Sequence, residues 1–126
     1  MPVHNNATLE THHLPGLEHQ TLAGSRDGLG QMEVWRQRIA AGAATPEHRH
    51  DCEEVIVILE GNGTYTVEGK STPLKAHDVV TIPPGVLHQV VAGDEEILLV
   101  ASFAMAPVRV QSADGNAMPL PWDGPA

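Results

Sequence analysis

The sequence predicts an all-β fold, a sandwich or barrel of short strands. Three observations carry that expectation. Apolar and polar residues alternate over short stretches, and no sustained helical spacing is visible. Twelve glycines and ten prolines among 126 residues supply frequent turns. No segment repeats itself at a period of about 20–50 residues, so a solenoid is not indicated.

Length and composition narrow the class further. A chain of 126 residues is expected to form one domain with a single core. Sixteen acidic against seven basic residues give a net charge of -9, which repels phosphate backbones and anionic membrane surfaces. Neither nucleic acid nor membrane is therefore an expected partner. The single cysteine, Cys52, can form no intrachain disulfide, and no apolar stretch suits a signal or a membrane span. A soluble, cytoplasmic protein is expected.

Residues 1–29 read as an N-terminal arm. Pro2, Pro15, Gly16, Gly24 and Gly28 interrupt it, leaving room for one short strand, and its histidines His4, His12, His13 and His19 fit no common ligand spacing and are expected in solvent. Residues 32–39 alternate as a strand does. Trp35 and Ile39 would bury more apolar area than Met32 and Val34, so the Trp35 face is expected inward, turning Gln37 toward the interior. The rival register would point Arg36 and Arg38 inward as clamps for an anionic substrate.

Residues 42–46 form a loop leading to His48, His50 and Glu54. In an extended strand these three share one parity and one face. Two imidazoles and a carboxylate, open on one side, suit a divalent transition metal. Residues 55–59 are apolar without alternation, which predicts burial on both faces, between sheets or against a second subunit, and hence a homodimer. Gly61, Asn62 and Gly63 turn the chain, 65–68 return as a strand, and 68–71 turn again. A strand at 78–82 stops at Pro83-Pro84-Gly85, because consecutive prolines cannot donate to a ladder, and His88 opens the next strand. After a turn at 93–96, residues 97–105 make the last clear strand, expected to close the barrel. The proline-rich tail, 109–126, is expected to be extended, with Trp122 anchored on the barrel surface.

The stretch 42–61 resembles the first motif of the cupin superfamily: a glycine, five residues, His-x-His, three or four residues, a glutamate, six residues and a glycine, met here by Gly42, His48, His50, Glu54 and Gly61. The stretch ending at His88 resembles the second motif, although its opening glycine falls on His77 and its closing asparagine on Ala92. The resemblance covers residues 30–108 and is to small single-domain bacterial cupins. It implies a jelly-roll barrel over those residues, a homodimer, and one divalent metal ion per chain held by His48, His50, Glu54 and His88. Iron, manganese, nickel, copper, zinc and cobalt all remain candidates.

The resemblance implies a metal-dependent enzyme acting on a small oxygen-bearing organic substrate, with a dioxygenase-like reaction placed first. The alternatives are a non-redox isomerase, lyase or decarboxylase, or a non-catalytic module that binds a metal and a small molecule; fold alone does not choose. Gln37 and Tyr65 are the candidate substrate contacts. Cys52 is read as a thiol outside the ligand set and open to oxidation, with Asp51 and Glu53 at the surface. No glycine-rich phosphate loop and no Gly-x-Ser-x-Gly elbow is present, which excludes the common routes to phosphoryl transfer and serine hydrolysis.

Overall fold

The computed structural model describes residues 3–122. Eleven strands run in order: β1 (His12–Leu14), β2 (Leu17–Ala23), β3 (Glu33–Ile39), β4 (His48–Arg49), β5 (Glu54–Glu60), β6 (Asn62–Val67), β7 (Lys70–Lys75), β8 (Val79–Ile82), β9 (His88–Ala92), β10 (Ile97–Phe103) and β11 (Gln111–Ser112). They form two antiparallel sheets, one ordered β1-β2-β3-β10-β5-β8 and the other β11-β4-β9-β6-β7. The core lies between them and is filled by Trp35, Ile39, Ile56, Ile58, Leu99 and Phe103 with their neighbours.

Burial along β3 alternates strictly, with Glu33, Trp35, Gln37 and Ile39 inside and the residues between them half exposed. The Trp35 face is thus the inward one, as its larger apolar area requires. Glu33 is tolerated inside because the Trp35 indole N–H donates to its carboxylate. Arg38 turns outward to pair with Glu96 at 2.9 Å.

Several expectations need correction. Residues 55–59 are not sandwiched between the two sheets: Ile56 and Ile58 point into the core, while Val55 is 40% and Leu59 39% exposed on the outer face of the chain. The apolar run lines the outside of a sheet as well as its inside. Strand β10 does not close the barrel; it sits in the middle of the larger sheet, between β3 and β5. The arm holds two strands rather than one, and β2 pairs with β3 along its length. The turn expected across 68–71 is shorter, because Glu68 (φ 50) and Gly69 (φ 76) reverse the chain by themselves. Strand β7 follows at once, and its Pro73 is accommodated because β7 is an edge.

Two positions show why the local sequence matters. Gly61 has φ 94, and a Cβ there would meet the Glu96 carbonyl oxygen at 2.0 Å. His77 occupies a left-handed conformation with φ 76, which a glycine at the motif's opening position would adopt without strain. At the other end, the tail folds back: Val108 and Val110 are buried, β11 pairs with β4, and Trp122 packs against the core.

Candidate metal centre

His48, His50, Glu54 and His88 converge between the two sheets, but not by lying on one strand. Strand β4 ends at Arg49, the chain bends at Asp51 and Cys52, and Glu54 begins β5 in the opposite sheet. His88 opens β9 and pairs directly with His48. One ring nitrogen from each histidine lies within 4.8 Å of the others. Glu54 Oε1 stands 3.3 Å from His88 Nε2 and 3.5 Å from His50 Nε2.

Each imidazole is held at its other nitrogen by the backbone. Nδ1 of His48, His50 and His88 lies 2.6, 2.9 and 2.9 Å from the carbonyl oxygens of Pro46, Arg109 and Val86. A carbonyl only accepts, so each Nδ1 carries the proton and each Nε2 turns a lone pair away from it. Burial pushes the His48 pKa down to about 3, helped by the neighbouring His88; burial also lowers that of His50, although Glu54 opposes the shift. Neutral imidazoles are the form that binds metal.

His50 Nε2, His88 Nε2 and Glu54 Oε1 are all buried without a hydrogen-bond partner. A buried polar atom left so costs on the order of 1–3 kcal/mol. Three lone-pair donors gathered at one point cannot satisfy each other. A divalent cation satisfies all of them, and this donor set fits one.

The space beside the cluster is a cavity of about 30 Å³ whose walls include Gln37, Thr45, His48, Glu54 and His88. A second, apolar chamber of about 130 Å³ lies under the tail, walled by Leu14, Leu17, Trp35, Met118 and Trp122, with His48 as the one titratable residue among the described residues that line it. His48 and Trp35 belong to both.

The other candidate residues are placed as follows. Gln37 reaches the cavity wall and is hydrogen-bonded to His19. Tyr65 is outside that wall; its ring stands 6.2 Å from His88, and burial raises its phenol pKa. Cys52 is buried and burial raises its thiol pKa, so the exposure and acidity that favour oxidation are both missing. Asp51 and Glu53 are exposed.

The largest correction concerns His19, expected in solvent. It is 0% exposed, stacked on Trp122 with ring centroids 3.5 Å apart and set edge-on to Trp35 at 4.9 Å. A sequence signal existed. Leu17, His19 and Thr21 share a parity in a stretch free of glycine and proline, which is how a half-buried strand reads.

Two facing antiparallel sheets with a histidine cluster between them make this chain a cupin of the jelly-roll type. Within that class it belongs to the auxin binding protein family, whose profile matches residues 3–121. It is 39% identical over 107 residues to auxin-binding protein 1 of Arabidopsis thaliana, covering 76% of this chain and 54% of that protein. The chain thus spans about half the length of that relative. It is also 33% identical over 75 residues to a gentisate 1,2-dioxygenase of a Ralstonia species, covering 54% of this chain and 21% of that enzyme.

Among solved structures, the polyketide cyclase RemF of Streptomyces resistomycificus superposes with a TM-score of 0.75 at 20% identity, over 90% of this chain and 85% of that one. An RmlC-like cupin from Shewanella frigidimarina gives 0.73 at 24% identity, over 82% and 90%. At such identities the likeness is one of fold.

Proposed function

We propose that the chain is a metal-dependent binding module for a small oxygen-bearing organic ligand, rather than an enzyme that turns one over. The observation that carries this reading is the pairing of a lone-pair cluster with an apolar chamber that shares His48 with it. A divalent ion held by His48, His50, His88 and Glu54 would act as a Lewis acid for an anionic oxygen. The side chains of Trp35, Leu17, Met118 and Trp122 would take up the ligand's apolar body.

The lining of the chamber supports binding over chemistry. Among the described residues that line it, His48, which the cluster already employs, is the one that could act as an acid or base. Similarity to the auxin-binding proteins favours the same reading. Tryptophan fluorescence and calorimetry with zinc-loaded protein and a panel of small aromatic carboxylates test it, since Trp35 and Trp122 both border the chamber. Micromolar binding that disappears on chelation is expected; no binding by any metal form would overturn the reading.

An oxygenase is the second reading, and the similarity to gentisate 1,2-dioxygenase is what favours it. Oxygen uptake by the iron-loaded protein over candidate phenols, hydroxy acids and diketones separates the two. Gln37, on the cavity wall, remains the proposed ligand contact, and the proposed assembly is a homodimer.

A further inference from the structure

His19 belongs to no metal set, yet it is held more tightly than any side chain at the surface requires. The β2–β3 register places it directly opposite Gln37. Its Nδ1 lies 3.0 Å from Gln37 Nε2, and its Nε2 lies 2.8 Å from Thr21 Oγ1. Trp122 covers one face of the ring, with 12° between the planes, and Trp35 closes an edge.

These contacts determine more than the position of one ring. Burial, with a smaller contribution from His12, lowers the His19 pKa to about 3, so the imidazole is neutral. A neutral imidazole has one donating and one accepting nitrogen. The amide nitrogen of Gln37 can only donate, so Nδ1 accepts, and Nε2–H is left to donate to the Thr21 hydroxyl. The Gln37 amide is thereby oriented: its nitrogen is engaged by His19, its carbonyl oxygen is free of that contact, and the residue lines the cavity beside His48, Glu54 and His88.

We propose that His19 is a positioning residue that sets ligand specificity: by fixing the Gln37 carbonyl toward the metal cavity, it selects organic acids carrying a hydroxyl or N–H beside their metal-binding oxygen. This rests on the binding reading above. A site built around a buried acceptor disfavours a ligand that leaves the acceptor unpaired.

Mandelate and phenylacetate differ by one hydroxyl beside the carboxylate and serve as probes. With zinc-loaded wild-type protein, mandelate is expected to bind more tightly by roughly two- to twelve-fold, the range of one hydrogen bond. His19→Leu removes the acceptor and should bring the ratio close to one with zinc content unchanged. His19→Asn should keep it, because the asparagine oxygen accepts where Nδ1 did.

The tautomer is read separately, by long-range proton–nitrogen NMR of the wild type without ligand. A proton on Nε2 is expected; a proton on Nδ1, or a ratio that survives His19→Leu, overturns the assignment. Failure of both acids to bind zinc-loaded wild type overturns the specificity claim, and failure of the whole carboxylate panel with every metal form overturns the binding reading. The NMR result distinguishes that failure from a wrong His19 assignment and stands even if His19→Leu does not fold.

Discussion

His48 on β4 and His88 on β9 face each other as a directly paired couple, their ring centroids 4.4 Å apart. Burial, helped by the neighbouring His88, keeps the His48 ring neutral. The same features suit a cation shared between the two rings. His50 supplies the third nitrogen from beyond the bend.

One divalent ion per chain is therefore expected, and His50→Ala should abolish stoichiometric binding. Two imidazoles and a carboxylate would remain, but with a gap on the side that the Arg109 carbonyl now braces through His50 Nδ1. Elemental analysis of protein purified without chelating resin checks this. Full metal retention in the variant would remove His50 from the ligand set.

Glu54 and Gln37 both border the small cavity, yet their substitution should have different consequences. Glu54 carries the charge that offsets the ion, so Glu54→Ala should weaken metal binding by more than roughly a hundredfold, beyond what loss of an outer partner commonly does. Gln37→Ala should leave metal content intact and weaken ligand binding by about one hydrogen bond, roughly two- to twelve-fold. Arg38→Ala should be silent for the same ligand, because Arg38 points outward to Glu96. Titrations at matched metal occupancy decide; equal metal loss in the Glu54 and Gln37 variants would contradict the division of roles.

That His48, His50, Glu54 and His88 belong to one cluster was legible in the sequence because their types and spacing are constrained by chemistry, and the inward register of β3 because Trp35 outweighs Val34 in area. The route by which the ligands meet was not legible. Parity along one strand suggested it, whereas Glu54 in fact belongs to the sheet opposite His48, and only the facing of the sheets brings them together. His19 was obscured for a related reason: its burial depends on Trp122, supplied by the far end of the chain. Strand β7 was hidden by its polar edge composition, since Ser71, Thr72 and Pro73 carry no apolar alternation.

The outer face of β5 and β8 offers an apolar surface suited to a second copy of the chain. Val57 pairs with Val79, and Val55, Leu59 and Val79 are each between 39% and 59% exposed. A homodimer through this face is proposed, and Val79→Glu, which would place a charge within it, should yield monomer. Light scattering should return twice 13.4 kDa for the wild type at about tens of micromolar and 13.4 kDa for the variant. A wild type already at the lower mass would refute the assembly.

The burial of His19 makes stability depend on pH in a defined direction. Its pKa falls from an ordinary 6.5 to about 3 in the folded protein. Between those values the unfolded chain binds a proton that the folded chain does not, so stability is full above pH 6.5 and falls as the medium is acidified toward pH 3. At pH 5 the unfolded state has gained about 2 kcal/mol relative to pH 8 from this one group, at about 1.4 kcal/mol per unit below its pKa. His19→Asn cannot titrate. Urea denaturation of both proteins at the two pH values should therefore show the wild type losing about 2 kcal/mol more than the variant on acidification. His48 and the other titrating groups act in both proteins and cancel in this difference. Equal losses would mean that His19 takes up its proton while folded, which the stack on Trp122 and the lack of exposed surface should prevent.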